Sequence, residues 1–303
     1  MIEIQHLSKR YGSKLAVDDV SFTVQPGIVT GFLGPNGAGK STTMRMIMGL
    51  DRPNAGTATI NGAAYTSLRD PLRQVGALLE AKAVHTGRSA FNHLLALAAT
   101  HGIPASRVDE VIHMTGLESV AKKRVGGFSL GMGQRLGIAV ALLGDPQTLI
   151  LDEPVNGLDP EGVLWVRQLC RYLASQGRTV FLSSHLMSEM AQTADHVVVL
   201  GRGRVLADAP IDQILSGAGG RSVTVRTPSP DQLVAALSAP DVTVRQAADG
   251  SLSVSGVSAE QVGEAAARAG VVLHELTPIT ASLEQAYLEL TQDDVEYKSE
   301  VSQ

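Results

Sequence analysis

Gly34-Pro35-Asn36-Gly37-Ala38-Gly39-Lys40-Ser41-Thr42 follows the apolar run Ile28 to Leu33 and opens a helical stretch from Thr42 to Met48. This spacing, GxxxxGK[ST] between a strand and a helix, is that of a phosphate-binding loop and predicts an α/β nucleotide-binding fold. Glycines at 34, 37 and 39 let the backbone curl so that successive N–H groups point inward at a helix N-terminus and cradle phosphate oxygens. Pro35, Asn36, Ala38 and Thr42 complete the loop. Lys40 is placed to reach the terminal phosphates, and Ser41 to coordinate magnesium. The loop predicts a bound nucleoside triphosphate and leaves the kind of NTPase open.

Further along, Thr148 to Leu151, Val180 to Leu182 and Val197 to Leu200 are short apolar runs that predict buried parallel strands. Val20, Phe22 and Val24 alternate with polar neighbours, as a half-exposed strand does. From Ala90 to Leu143 the pattern is helical, broken at Gly102-Ile103-Pro104 and Gly126-Gly127, which predicts a helical subdomain inserted over about 84–143. Ser216-Gly217-Ala218-Gly219-Gly220 reads as a linker, so a nucleotide-binding domain of 1–216 is followed by an accessory domain of 221–290. That domain has strand patterns at Ser222 to Arg226, Asp241 to Arg245, Leu252 to Ser255 and Val271 to Leu276, with helices at Pro230 to Leu237 and Ala259 to Ala269. The order βαββαβ predicts a small α+β, ferredoxin-like module. A closing helix from Ala281 to Leu290 places Leu283, Ala286, Tyr287 and Leu290 on one stripe, and the polar tail 291–303 is expected to be flexible.

The 303 residues carry a formal charge of −5 with 44% hydrophobic side chains, a globular balance without the basic footprint of a nucleic-acid binder. No run approaches the ~18 consecutive apolar residues of a spanning helix, and Met1-Ile2-Glu3-Ile4 lacks the basic start of a signal peptide, so a cytoplasmic protein is expected. Cys170, the single cysteine, has no partner for an intrachain disulfide and is expected to be a packing residue.

A second motif narrows the class. Leu149-Ile150-Leu151-Asp152-Glu153-Pro154 is an apolar strand that ends in two carboxylates, placing acids at the carboxyl edge of a sheet where open α/β folds bind ligands. Asp152 is expected to hold magnesium through water, and Glu153, on the following turn, is suited to polarise an attacking water as general base. Phe128-Ser129-Leu130-Gly131-Met132-Gly133-Gln134-Arg135 then precedes a helix running through Leu143.

In order and spacing these motifs resemble those of ABC transporter ATPases over residues 1 to about 215. The resemblance makes Gly34 to Thr42 the Walker A loop and Leu149 to Glu153 Walker B. It makes Ser129 and Gly131 part of the signature motif, Asn156-Gly157-Leu158-Asp159 the D-loop and His185 the switch histidine. Tyr11 stands where the family stacks an aromatic ring on adenine. ATP and Mg2+ are the implied cofactors, with Ser41, Glu80 and Asp152 at the metal. Two ATPase domains are implied to associate head to tail on ATP binding. Ser129 and the N–H groups after it then face the γ-phosphate held by the other copy, His185 orients the attacking water, and Asp159 links the two sites. The implied partner is an integral membrane permease, which would hold the chain at the cytoplasmic side of the plasma membrane. Its coupling helix would sit in a groove beside Glu80 and the helical stretch Ala83 to Ala99.

Three departures from the usual family pattern stand out. Leu130 and Met132 replace a glycine and a glutamine, Asn156 replaces a serine, and Glu80, closing Val75-Gly76-Ala77-Leu78-Leu79-Glu80, replaces a glutamine near magnesium. Similar substitutions occur in a branch of bacterial ABC ATPases serving drug, antibiotic or lantibiotic-type exporters, so an ATP-hydrolysing exporter subunit is expected. Two other readings stay open. One is a soluble ABC ATPase outside transport; the other is a nucleotide-sensing module with little turnover, which Leu130, Met132 and Glu80 allow and Glu153 and His185 oppose.

Overall fold

Alternating apolar side chains at Ile2, Ile4 and Leu7 build β1 (Ile2–Tyr11), which pairs antiparallel with β2 (Lys14–Val24). The fully buried β3 (Val29–Leu33) leads through the glycine-rich loop into α1 (Lys40–Ile47), after which β4 (Ala55–Ile60) pairs with the other side of β1. The chain continues through α2 (Pro71–Gln74), β5 (Val75–Leu78), α3 (Ala90–Thr100), α4 (Ala105–Met114) and α5 (Leu130–Leu142). It then alternates through β6 (Thr148–Leu151), α6 (Pro160–Ser175), β7 (Thr179–Ser183), α7 (Met187–Thr193), β8 (His196–Gly201) and β9 (Arg204–Pro210). The computed structural model describes residues 1–80, 84–217, 222–239, 242–247, 249–279 and 282–291.

The central sheet has the order β5-β6-β7-β3-β8-β9, with parallel pairing from β5 through β8. Its register aligns Leu78 with Leu151, Leu151 with Leu182, and Phe32 with Ser183. The segments that leave β3, β5, β6 and β7 therefore emerge at one carboxyl edge, which brings together the glycine loop, Glu80, Asp152-Glu153 and His185. The antiparallel sheet, order β2-β1-β4, packs on this core through Phe22, whose ring lies 5.4 Å from Phe32 and 5.7 Å from Phe181, centroid to centroid. Phe32 and Phe181 complete the triad at 5.2 Å.

Helix starts follow their capping residues. Ser89, Ser129 and Asp159 cap α3, α5 and α6, each accepting a backbone N–H through its side chain, and Pro160 takes the first position of α6. Cys170 is buried on α6, and burial pushes its thiol up to about 12.

The chain divides into two compact units, Met1–Ala209 and Pro210–Gln292. The second contains α8 (Ile211–Gly217), β10 (Ser222–Arg226), α9 (Pro230–Ala236), β11 (Thr243–Gln246), β12 (Leu252–Ser255), α10 (Ala259–Ala269), β13 (Glu275–Ile279) and α11 (Leu283–Thr291). Its sheet runs β11-β12-β10-β13 with every neighbouring pair antiparallel, the split βαβ arrangement, over a core of Val223, Val225, Leu233, Val254 and Val262. The division falls upstream of the expected 216–220 linker because α8 packs with α11; Ser216 and Gly217 end α8, and 218–220 lie outside the described residues. The strand expected from Val271 begins instead at Glu275. Gly270 ends α10 in the left-handed region at φ 67°, and the Val271 N–H returns to the Ala266 carbonyl at 2.9 Å. Asp241 and Ala281, expected as element ends, and residues 292–303 of the expected tail also lie outside the described residues.

The aromatic triad generates a stability prediction. Phe181→Ala removes a fully buried ring that ties the two sheets together, and should lower the unfolding free energy by about 3–5 kcal/mol in a denaturant titration. A loss below about 1 kcal/mol would show that the triad contributes little to the core.

Candidate active site

The glycine loop closes tightly on its neighbours. Gly39 has φ 107°, and a Cβ there would lie 2.5 Å from the Ala16 carbonyl oxygen, so a side chain is excluded both by conformation and by space. Lys40 opens α1 only 6% exposed, and its ammonium donates to the carbonyls of Gly34 at 2.6 Å and Pro35 at 3.4 Å. Burial lowers its pKa, and the negative charges of Glu153 and Asp152 partly oppose that shift. The folded chain therefore binds this proton less readily than the unfolded chain. The group subtracts stability below its folded pKa, and the deficit vanishes as pH rises towards the ordinary lysine range. A desolvated ammonium held, among the described residues, only by its own loop's carbonyls, at a helix N-terminus without acidic first-turn residues, suits a bound polyanion.

Across the edge, the Ser183 hydroxyl donates to Asp152 Oδ1 at 2.5 Å and accepts the Glu153 N–H at 2.9 Å. The Asp152 N–H donates to the Leu78 carbonyl at 2.7 Å, fastening β6 to β5 where both end. Glu153 adopts φ 50°, an uncommon left-handed backbone for a non-glycine residue, and its carbonyl accepts the Gln134 amide at 2.9 Å. Glu153 Oε2 accepts the His185 N–H at 3.3 Å and lies 2.8 Å from His185 Nδ1. A carboxylate paired to an imidazole at a cleft mouth can receive a proton from water while the ring orients the attacked group.

Two clefts meet at Glu153. One, of about 340 Å³, is lined by Tyr11, residues 35–37 and 39–42, and Glu153. The other, of about 440 Å³, is lined by Leu79, Glu80, Leu130, Gln134, Asp152, Glu153 and Asn156. Of the sequence candidates, Gly34 accepts from Lys40 and Ala38 is buried beneath the loop, so both support the first cleft without lining it. Tyr11 is 47% exposed and its hydroxyl donates to Asp51 Oδ2 at 2.8 Å. Burial of that hydroxyl raises its pKa, and the bond to Asp51 adds to the rise. The Lys9 ammonium sits 4.9 Å from the ring centroid.

Ser129, Gly131 and Asp159 line neither cleft. Ser129 Oγ accepts the Met132 N–H at 3.2 Å, and Asp159 Oδ1 accepts the Gly162 N–H at 2.9 Å, so both cap helices. Among the described residues no three His, Cys, Asp or Glu side chains converge as a ready metal cage. A hard divalent cation here would be held by Ser41 and Asp152 together with phosphate oxygens and water, the usual manner for Mg2+. Gln134 and Ser183 were given no role from sequence; a glutamine on the buried face of an apolar helix, 3% exposed, was the available signal for the first. Arg135 stacks on Trp165 at 4.6 Å and donates to the Thr115 carbonyl at 3.0 Å, fixing α5 beside α4 and α6.

Lys40→Met should abolish ATP binding in calorimetry, while the nucleotide-free chain unfolds within about 1 kcal/mol of the unaltered one or later, since the buried charge opposes folding. ATP affinity unchanged by the substitution would remove Lys40 from the binding site.

The ABC transporter family model matches residues 17–156, and a domain of unknown function matches residues 221–284. The chain is 43% identical over 217 residues, 71% of each protein, to the bacitracin transport ATP-binding protein BcrA of Bacillus licheniformis. It is 35% identical over 212 residues to the lantibiotic transport ATP-binding protein SrtF of Streptococcus pyogenes, covering 70% of this chain and 92% of that one. A solved ATP-binding subunit of an ABC transporter superposes with TM-score 0.66 at 29% identity, over 72% of this chain and 92% of the other. A dimeric bacterial ABC transporter cassette, at 23% identity and TM-score 0.64 over 70% of this chain and 99% of its own, shares the fold. With the phosphate loop, acidic strand end and sheet order already established, this chain belongs to the ABC transporter ATP-binding proteins and is an ATPase.

Proposed function

We propose that this chain powers an exporter of drugs, antibiotics or peptides by hydrolysing ATP on the cytoplasmic side of a membrane permease. The carrying observation is the buried Lys40 ammonium facing the Asp152 and Glu153 carboxylates at one sheet edge. Lys40 and the loop N–H groups bind the phosphates and Tyr11 receives the base; Ser41 and Asp152 would hold Mg2+, which would supply charge neutralisation for the transferring phosphoryl group. Glu153 accepts the proton of the attacking water, and His185, held against it, contacts the terminal phosphate and orients that water.

The Lys40 cleft lacks Ser129 and Gly131, which supports a site completed by the α5 N-terminus of a second copy. Asp159 stands at a neighbouring helix start, suited to join the two copies. No helix among the described residues is long and apolar enough to cross a membrane; the transport path is assigned to a separate permease subunit. Relatives named for bacitracin and lantibiotic transport favour an antibiotic or peptide cargo. The permease contact is placed beside Glu80 and α3; residues 81–83 of that expected groove lie outside the described residues.

Glu153→Gln should keep ATP affinity and slow hydrolysis by roughly a hundredfold or more, because an amide keeps the shape and cannot take the proton. Sizing chromatography with ATP should then show an accumulated dimer. Wild-type turnover in this variant would sink the general-base assignment.

Glu80 contributes a second carboxylate beside Asp152. If it joins the metal shell, Glu80→Gln should raise the magnesium concentration needed for half-maximal turnover and blunt stimulation by the permease, with only a modest loss of ATP affinity. Superimposable magnesium curves for the two proteins, with and without permease, would make Glu80 a solvated loop residue.

A further inference from the structure

Leu130 and Gln134 lie one turn apart on α5 and so share a face of the helix. Gln134, almost wholly buried, donates its amide to the Glu153 carbonyl at 2.9 Å. Leu130 is 54% exposed, yet its side chain fills the space above Gly157: a Cβ added there would meet Leu130 Cδ2 at 2.3 Å and Cγ at 2.4 Å. Gly131 reinforces the contact, since its own added Cβ would lie 3.0 Å from the Gly157 carbonyl oxygen. The gripped segment, Glu153 to Gly157, carries the left-handed backbone of Glu153 at one end and of Gly157, φ 75°, at the other.

We propose that Leu130 and Gln134 are positioning residues, a two-point clamp by which α5 holds the Glu153–Gly157 loop and so aims the Glu153 carboxylate at water. This rests on the reading of Glu153 as general base. A carboxylate on a left-handed backbone relaxes towards ordinary geometry unless its surroundings hold it. The Ser183 hydroxyl holds the N–H side of Glu153, and Gln134 holds the carbonyl side. Leu130 stops the far end of the loop from rising. The leucine that departs from the usual signature pattern thus has a partner within its own chain, a residue without a side chain. Any displacement of α5 relative to the sheet is passed to the hydrolytic carboxylate through two contacts.

The test uses the full chain with ATP and compares Gln134→Met, Leu130→Ala, the double variant and Glu153→Gln. Methionine keeps the shape of Gln134 and removes the donor, while the Glu153 carbonyl keeps the Asn156 N–H at 3.2 Å, so folding should be preserved. The expected result is a kcat about tenfold lower for Gln134→Met, with KM for ATP and melting temperature unchanged, and a fall of about threefold for Leu130→Ala. Because both act on one loop, the double variant should lose less than the product of the single losses. Unchanged kcat in Gln134→Met beside a slow Glu153→Gln would overturn the clamp and leave the base assignment standing. A fall in kcat matched by a lower melting temperature, or strictly multiplicative losses, would overturn it as well. Full turnover in Glu153→Gln would remove the general base and the clamp together, a pattern distinct from either of the others.

Discussion

The site is organised by a buried cation that, among the described residues, has no anion in contact. Lys40 donates only to carbonyls of its own loop, and the nearest compensating charges, Glu153 and Asp152, act on it at longer range across the cleft. A pair in contact would collapse the cleft and leave phosphate nothing to displace. Charges held apart by the sheet keep the ammonium available, at a cost in stability that the bound ligand can recover. The same carboxylates would repel a triphosphate, so a divalent cation held by Asp152 would answer both the anion and the acids.

The separation is kept by the sheet. Parallel pairing of β3, β7, β6 and β5 sets four strand ends in one row, and three hydrogen bonds lock the acidic end: Asp152 N–H to the Leu78 carbonyl, the Ser183 hydroxyl to Asp152, and Glu153 N–H to Ser183. Ser183 accepts from one residue and donates to the other, which fixes the Glu153 backbone and the Asp152 carboxylate from a single hydroxyl. The aromatic triad behind them makes the row stiff, because displacing β3 or β7 would open a void among three rings.

Much of this was legible in the sequence, and the reason is local chemistry. Glycines, a lysine and paired acids at strand ends are required by backbone conformation and charge, so they identify themselves without tertiary knowledge, and the buried strand Thr148 to Leu151 and the half-buried strand Ser222 to Arg226 end where their sequence patterns end. What could not be read depends on contacts between distant segments. β1 has no apolar run, and its pairing with both β2 and β4 is visible only once those strands are in place. The linker glycines drew the domain boundary to 216–220, whereas packing of α8 with α11 moves it to Ala209. Val271 looked like a strand start because it is β-branched, but the left-handed Gly270 turns its N–H back onto α10. Gln134 carries no motif of its own meaning; its role appears only when Glu153 is found beneath it.

The departures in the signature segment take on a different sense once Gly157 is seen. Read alone, Leu130 looks like the loss of a glycine where the backbone should approach phosphate. In the fold it sits at the first position of α5, after the Ser129 cap, and its bulk is received by Gly157, whose missing side chain leaves the room. The helix start is preserved, with Ser129 as its cap accepting the Met132 N–H. A leucine there adds an intrachain contact to the loop that follows Glu153. The segment that would face one nucleotide is thereby tied mechanically to the carboxylate that would hydrolyse another, and the tie consists of one apolar contact and one amide hydrogen bond on the same helical face.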